Sequence, residues 1–226
     1  MLRRLNILGT PATGIHACAT DRYCLVPGRI KEKVVEIMKD VLQIPCMRLN
    51  ISIQKLLGVM LVGNSNGLIL PNHLPPNDER NIMKAMEEFT DVDVHVLEES
   101  KLNALGNLIA TNDRGTIVSR KVPDNALGPI SDCLGTEVVK MPFSNFKLVG
   151  TRVVSNKLGC LVSPLATDEE ARSLKDIFKV DVVDFTTVCL GIEAIRIGII
   201  SNSNGALVGD TTSGPELARI SEVLSI

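Results

Sequence analysis

Aromatic residues are scarce in this 226-residue sequence, which has no tryptophan, one tyrosine and five phenylalanines. A core must therefore be built from valine, isoleucine, leucine and methionine. No apolar run approaches the roughly 20 residues that a membrane helix needs, and the apolar stretch at the N-terminus is too short for a signal peptide. We therefore expect a soluble, cytoplasmic protein.

Neither sign of charge is in excess, since the formal net charge is −2. A free-standing nucleic-acid-binding protein normally carries a basic stripe that displaces counterions from phosphates. The charge balance argues against that class. The charge balance is compatible with a factor that binds mainly to protein and contacts RNA only at the edge of its binding surface.

Metal-binding and redox motifs are also missing. The six cysteines form no C-x-x-C pair and mostly lie in apolar runs, so we expect reduced core thiols. The three histidines form no H-x-x-x-H or H-E-x-x-H motif, and no glycine-rich phosphate loop precedes a helix. The sequence predicts no metal and no cofactor.

What the sequence does contain is one segment repeated five times. The copies are Asn64–Leu70, Asn112–Val118, Asn156–Val162 and Asn202–Val208, with a degenerate first copy at Thr20–Val26. Their first residues lie 44, 48, 44 and 46 positions apart, so five units of about 45 residues fill a single domain, residues 1–226. A fixed period of this length is typical of a solenoid, a propeller or a closed ring.

The second copy predicts the structure of each unit. Its apolar run Leu57–Val62 favours a buried strand, and the Asn-Gly pair that follows favours a hairpin whose return strand is Leu68–Leu70. Asn77 is a candidate N-cap for a helix. Alternation of apolar and polar residues over Val92–Val96 predicts a third strand. The expected unit is strand, strand, helix, strand.

The other copies follow the same order. A helix is expected from Arg29 to Leu42, and Thr167 with the acidic residues behind it predicts a capped helix start. The fifth copy, which opens with a strand at Ala194–Ser201, stops before its third strand. We expect Leu2–Leu8 to supply that strand and to close an α/β ring without exposed sheet edges. The alternative is a frayed N-terminus beside a truncated repeat.

Catalytic candidates are few. His16 and Cys18 are predicted to share one face of a strand, although a hydrogen-bonded histidine and a core thiol would explain them as well. His73 is expected in a loop that faces solvent, and His95 on an exposed part of a strand.

The leading residues of the five copies occupy equivalent places at the hairpin tips, around one end of the expected ring. They are Thr20, Asn64, Asn112, Asn156 and Asn202. Asparagine tolerates left-handed backbone and hydrogen-bonds its own turn, which is one explanation. The other is a rim of amides that organises buried water or meets a partner.

The segment Glu99–Asn107 joins the second and third units. It is either a connector or a docking patch in which Leu102 and Leu105 form an exposed anchor beside the Asn107 amide.

Several motifs are distributed along the chain: Tyr23–Val26, Val62–Asn64 with Gly67 and Leu68, the Leu102–Asn107 segment ending in Ala-Leu-Gly-Asn, Asn112 with Asp113, and Asp210–Ser213 with Glu216 and Leu217. In this order and spacing they resemble the archaeal and eukaryotic translation initiation factor 6 family, whose members are ribosome anti-association factors. Because the chain ends soon after the fifth helix, without the tail of eukaryotic members, it is more similar to the archaeal ones.

The resemblance implies a pentein fold, a five-bladed α/β propeller, and a function: binding the intersubunit face of the large ribosomal subunit and blocking the small one, with a role in large-subunit biogenesis. It implies contact with a ribosomal protein beside the sarcin–ricin loop, with rRNA at the rim, and release by a maturation factor and a GTPase. We expect a monomer without a membrane partner. The resemblance makes Gly106 and Asn107 contact residues, while Val59 stands where eukaryotic relatives often have a basic residue.

The alternative is a pentein enzyme that acts on guanidino substrates, similar to arginine deiminases and amidinotransferases. Those enzymes place a nucleophilic cysteine in the last unit and a histidine in an earlier one. Here the last unit, from Ala194 onward, has no cysteine. We therefore expect no enzymatic activity; a passive scaffold is the third possibility.

Overall fold

A computed structural model describes residues 1–99 and 102–226 of the chain. Ser100 and Lys101, which belong to the predicted connector, lie outside the described residues. Within the described ranges, no helix combines the length and apolar character needed to span a bilayer.

Within the described residues, the strands form five sheets of three strands each. In chain order they are β1 (Leu2–Leu5), β2 (Cys18–Ala19), β3 (Cys24–Pro27), β4 (Cys46–Leu49), β5 (Val62–Gly63), β6 (Gly67–Pro71), β7 (Asp93–Leu97), β8 (Ile109–Thr111), β9 (Thr116–Val118), β10 (Val138–Lys140), β11 (Val153–Ser155), β12 (Gly159–Val162), β13 (Val182–Phe185), β14 (Ile199–Ser201) and β15 (Ala206–Gly209).

The α-helices in the described ranges are α1 (Glu32–Leu42), α2 (Leu57–Met60), α3 (Pro76–Met86), α4 (Leu105–Leu108), α5 (Leu127–Leu134), α6 (Val149–Arg152), α7 (Asp168–Phe178) and α8 (Gly214–Leu224). Short 3₁₀ helices cover Thr13–Ile15, Gln54–Leu56, Asp124–Ala126 and Ile195–Gly198. The structure is therefore of the mixed α/β class, as predicted.

Each sheet is built in the same way. The first two strands pair antiparallel through a hairpin, and the third strand, after a helix, pairs parallel with the second. The predicted order of strand, strand, helix, strand is confirmed. In the fifth sheet the third strand is β1, which pairs parallel with β15 from Leu2↔Ala206 to Leu5↔Gly209. The prediction that the N-terminal segment completes the fifth unit is also confirmed.

Helix starts follow local sequence. The Thr167 hydroxyl accepts from the Glu170 backbone N–H while the Glu170 carboxylate accepts from the Thr167 N–H, a capping box that confirms the predicted start of α7. The predicted N-cap Asn77 is wrong, because α3 already begins at Pro76. Proline suits a first helical position, where its missing N–H has no intrahelical partner to lose.

The first strands are shorter than predicted, because a helical turn precedes each of them. Leu57–Met60 and Ile195–Gly198, predicted as parts of strands, are turns of α2 and of a 3₁₀ helix. Equivalent turns are Thr13–Ile15, α4 and α6. A four-residue apolar run cannot be assigned to strand or helix from periodicity alone.

Among the described residues, the buried apolar side chains form five clusters that neighbouring units share. Val62 and Ile69 of the second unit pack with Leu105 and Ile130 of the third. The same kind of cluster joins Leu207 of the fifth unit to the first unit. Because each unit buries its apolar residues against the next, the repeats stabilise one another.

Candidate functional site

The repeated segments place two sets of residues at opposite ends of the first strand of each unit. We call the side of the five hairpin tips the hairpin end, and the side of the five helical turns the turn end. The tips surround one small cavity of about 30 Å³, and neighbouring turns contact one another. Both ends therefore gather side chains from all five units.

At the hairpin end, four buried asparagines connect each unit to the next. The Asn64 side-chain oxygen accepts from the backbone N–H groups of Asn66 and Gly67, 2.9 and 3.1 Å away, as the turn interpretation predicts. Its amide nitrogen donates to the carbonyls of Asn112 and Leu134, 3.1 and 2.8 Å away. Leu134 is the last residue of α5, so the amide also satisfies a carbonyl that lacks a partner within its helix.

The other three asparagines repeat this geometry. Their amides donate to the leading residue and to the end of the helix of the following unit: Asn112 to Asn156 and Phe178, Asn156 to Asn202 and Leu224, and Asn202 to Thr20 and Leu42. The sequence did not predict this link, because its partners lie 44 to 182 residues away.

Thr20 is the exception among the leading residues. Its hydroxyl accepts from the backbone N–H groups of Arg22 and Tyr23 and donates to the Tyr23 carbonyl, so it serves its own turn. The Tyr23 hydroxyl instead donates to the Gly67 carbonyl at 3.0 Å. The single tyrosine thus bridges the first and second units where an amide is absent.

The residues that directly follow the five leading residues form a layer of charged and hydroxyl side chains at the hairpin end. The Lys157 ammonium lies 3.1 Å from the carboxylates of both Asp21 and Asp113. Each carboxylate also accepts from a neighbouring serine, Asp21 from Ser203 and Asp113 from Ser65. Although burial opposes it, hydrogen bonding to Asp113 and Asp21 raises the pKa of the Lys157 amine. The repeat pattern alone did not predict this layer, although each of its residues directly follows a leading residue in the sequence.

At the turn end, backbones meet closely because the second residue of four turns is glycine. These residues are Gly14, Gly58, Gly106 and Gly150, each six positions before a leading residue, and Arg196 occupies the same place in the fifth unit. A Cβ on Gly58, Gly106 or Gly150 would collide with the carbonyl of the glycine in the preceding unit, and one on Gly14 with the Arg196 carbonyl. Substitution of these glycines would force the turns apart.

The docking residues predicted from the connector occupy different environments. Leu102 and Leu105 are 4% and 0% exposed and lie in the core cluster shared by the second and third units. The prediction that they form an exposed anchor is wrong. Leu105, like the first residue of every other turn, is buried, and Leu102 packs into the same cluster. Gly106 is buried, whereas Asn107 and Val59 are half-buried. Asn107 and Val59 line one shallow hollow with Thr151 and Arg196.

Exposed apolar side chains are concentrated at the turn end. Of the eight large exposed hydrophobic residues among those described, five lie there: Leu8, Leu56, Leu148, Leu190 and Ile192. Met1, Leu158 and Val182 lie at the hairpin end. The turn end thus carries more apolar surface.

A basic groove of about 470 Å³ lies beside these residues at the turn end. The groove is lined by Arg120, Lys121 and Lys147, which are exposed, and by Phe143 and Phe146, whose rings stack with centroids 4.2 Å apart. Both rings are buried, so the three cations are the groups of this groove that can meet phosphates.

The catalytic candidates do not form a reactive pair. His16 lies just after the first turn and not on a strand, so its predicted alignment with Cys18 is wrong. Its Nδ1 lies 2.7 Å from the Lys55 carbonyl, and burial lowers its pKa. Burial raises the pKa of the Cys18 thiol to about 11, so it stays protonated at neutral pH.

The remaining cysteines and histidines fit structural roles. All six cysteines are free and five are buried, so the prediction of core positions is confirmed for all but Cys46, which is half-buried. His73 is exposed in a loop as predicted, while His95 on β7 is half-buried and not fully exposed. Within the described ranges, no group of histidine, cysteine and acidic side chains could hold a metal ion.

Comparison with known proteins gives one consistent result. Translation initiation factor 6 of Pyrococcus horikoshii is 35% identical over 224 residues, covering 99% of this chain and 98% of the relative. The proteins of the same name from Methanococcus maripaludis and Methanocaldococcus jannaschii are 36% and 34% identical, each covering 100% of this chain and 99% of the relative. A family model described as the eIF-6 family matches residues 2–223. The chain therefore belongs to the eIF-6 family.

Proposed function

We propose that this protein is a translation factor that binds the large ribosomal subunit through its turn end and prevents the small subunit from joining. The observation that carries the proposal is the concentration of exposed leucine and isoleucine beside a basic groove at that end. Membership in a family whose relatives are named translation initiation factor 6 supports the translation role.

The same proposal includes a closed, five-bladed pentein ring as a single domain, residues 1–226. Three observations at the junction of the last and first units support it. The Asn202 amide donates to Thr20 and Leu42, Gly14 abuts the Arg196 carbonyl, and β14 contacts β2. A closed ring would be stiff, since no end unit would be free to fray.

Stiffness matters because the proposed mechanism is obstruction and requires no catalysis. A stable complex needs about 800 Å² of contact on each partner. Leu56 and Leu148, which precede equivalent turns and are exposed, would supply apolar anchors. Asn107 and Val59 would contribute to the rim, while Gly106 would act by allowing the turns to approach.

The chemistry of the turn end suits a mixed partner surface. The apolar residues fit a ribosomal protein, which in this proposal lies beside the sarcin–ricin loop. Arg120, Lys121 and Lys147 fit phosphates of rRNA at the rim. Because bound factor blocks subunit joining, its release requires a separate step, for which we propose a maturation factor and a GTPase. The protein would then act as a cytoplasmic monomer, including late in large-subunit biogenesis.

A matched pair of substitutions tests which end binds. Leu148 at the turn end and Leu158 at the hairpin end are 40% and 42% exposed, and β11 separates them. Each would be replaced by glutamate, and the variants compared by sucrose-gradient sedimentation with purified archaeal large and small subunits. We expect L148E to lose co-sedimentation with large subunits and to permit subunit joining, while L158E behaves as wild type.

Two outcomes would contradict the proposal. If wild-type protein failed to co-sediment with large subunits at any tested salt concentration, the ribosomal function would be wrong. If L158E lost binding and L148E kept it, the assignment of the docking end would be wrong. Unchanged melting temperatures of both variants would establish that binding and not folding is measured.

A further inference from the structure

Two cysteines of the first unit lie directly opposite each other on neighbouring strands. Cys24 is the first residue of β3 and Cys46 the first residue of β4, and the two strands pair parallel with Cys24 in register with Cys46. Both side chains pack into the same apolar cluster beside α1. Paired strands lie about 4.7–4.9 Å apart, which is within the Cα separation of about 4.4–6.8 Å that a disulfide spans.

The other four units do not repeat this pair. At the same register they place Leu68 opposite Val94, Thr116 opposite Val138, Cys160 opposite Val183 and Ala206 opposite Leu2. The fourth unit therefore has the first cysteine without the second. Because the repeat accepts alanine, leucine or threonine at the place of Cys24 and valine at the place of Cys46, packing does not require two thiols here.

The two thiols differ in exposure. Cys24 on the central strand β3 is fully buried, whereas Cys46 lies on the outer strand β4 and is half-buried. A reagent from solvent therefore meets Cys46 first. A hydrogen bond with Cys24 lowers the pKa of the Cys46 thiol, while burial opposes this shift and the Lys39 ammonium adds to it. Since the thiolate is the nucleophilic form of cysteine, Cys46 is the attacking sulfur and Cys24 its partner.

We propose that Cys24 and Cys46 form a reversible disulfide when the protein meets hydrogen peroxide. The Cys46 sulfur bonds to one peroxide oxygen, the O–O bond breaks, and the departing hydroxide takes up the proton that Cys46 had released. The Cys24 sulfur then bonds to the Cys46 sulfur, the S–O bond breaks, and the second hydroxide leaves as water with the Cys24 proton. One peroxide is reduced to two waters as two thiols are oxidised, and a thiol reductant reverses the bond by exchange.

The disulfide would act on the unit that joins the two ends of the chain. Its loop, residues 24–46, contains α1, whose last residue Leu42 accepts hydrogen bonds from the amides of Asn202 and Asn204. A bond between β3 and β4 would restrict this loop in the unfolded chain. The site is thus distinct from the turn end, and it does not depend on the proposed ribosomal function.

Peptide mapping of the folded wild-type protein tests the site directly. Trypsin cleaves after lysine and arginine, so it places Cys24 in peptide 23–29 and Cys46 in peptide 40–48. The protein is treated with hydrogen peroxide, quenched and unfolded in an alkylating reagent. The monomer band of a non-reducing gel is then digested and analysed by mass spectrometry. We expect the two peptides to be linked, lighter than their sum by two hydrogen atoms, and separate when a thiol reductant precedes alkylation.

The repeat supplies matched controls. Cys160 occupies the place of Cys24 but faces a valine, so it should stay free under the same treatment. Cys46→Val copies the fourth unit and should leave the buried Cys24 unoxidised. Cys160→Ala copies the fifth unit and should retain the linked peptides.

Three results would overturn the proposal. They are oxidation of Cys46 to sulfinic or sulfonic acid without linked peptides, linked peptides that form only in urea, and oxidation of Cys24 in C46V at the wild-type rate. If C46V does not fold, the comparison of Cys24 with Cys160 in the wild-type protein decides, because it needs no variant.

Discussion

Replacing Asn202 with alanine tests the amide link between the last and first units. The side chain is 3% exposed and forms four hydrogen bonds. Its amide donates to the carbonyls of Thr20 and Leu42 at 3.2 and 2.8 Å. Its oxygen accepts from the backbone N–H groups of Asn204 and Gly205, each at 3.0 Å. Alanine removes all four.

The loss of unfolding free energy depends on whether the former partners of Asn202 find other hydrogen-bond partners. A typical intramolecular hydrogen bond contributes about 1 kcal/mol, and a buried group left without a partner costs more. The Leu42 carbonyl still accepts a hydrogen bond from the Asn204 side-chain amide at 3.0 Å, which reduces the loss of stability. We expect the free energy of unfolding to fall by about 3–4 kcal/mol. For a chain of this size, the melting temperature should fall by about 6–16 °C.

The assay is calorimetric or urea-induced unfolding of wild type and two further variants. Asn204→Ala removes the part-buried hydrogen bond from the Asn204 amide to the Leu42 carbonyl and should cost about 1 kcal/mol. Asn202→Asp keeps an acceptor for the turn but puts a carboxylate oxygen against two carbonyls, so it should destabilise at least as much as alanine. If N202A melted within about 3 °C of N204A, or N202D matched wild type, the link between units would contribute little and the reasoning would be refuted.

Four other predictions concern separate features. Leu105→Asp should lower the free energy of unfolding by about 3–5 kcal/mol, because it places an uncompensated charge in the core. Its control, Leu56→Asp at an exposed site, should leave the melting temperature nearly unchanged. Equal effects of the two substitutions would mean that Leu105 is not buried. Deletion of residues 1–5 should give an insoluble or strongly destabilised protein by removing β1, and a normal melting temperature would contradict the pairing with β15. Lys157→Met should destabilise the hairpin end by leaving two carboxylates without their shared cation, more at low salt than at high salt, as measured by melting in both; a salt-independent loss would indicate lost packing instead. Although burial opposes it, hydrogen bonds from Ser213, Thr187 and Gly191 lower the pKa of Glu216 to about 2. The ionised carboxylate should therefore contribute its full stabilisation above pH 4.5 and lose it as the pH falls towards 2. The free energies of unfolding of wild type and Glu216→Gln should differ by about 3 kcal/mol at neutral pH and converge over that range, and a difference that does not change with pH would contradict this.

Much of the fold could be predicted because its signals are local. The Asn-Gly turns predicted the hairpins, and the Thr167 cap predicted the start of α7, because each acts within a few residues. The regular spacing of the copies predicted that all units share one order of strands and helix. The helical turns could not be predicted, since Leu57–Met60 carries no polar residue to reveal its period.

The candidate site was harder to predict because exposure depends on tertiary packing. Leu102 and Leu105 are flanked by polar residues in sequence, which suggested a surface, but the neighbouring units bury both. Arg196 is visible only after the turns are aligned and four glycines appear at the same position.

The pairing of β1 with β15 has a consequence for synthesis. Leu2 lies opposite Ala206, so β1 pairs with a strand that is synthesised after the other fourteen strands of the described residues. Domains usually fold from the N-terminus as they emerge, but the sheet that contains β1 cannot assemble until β15 has left the ribosome. Until then the nascent protein carries an unpaired strand, and a product truncated before β15 would keep that exposed sheet edge.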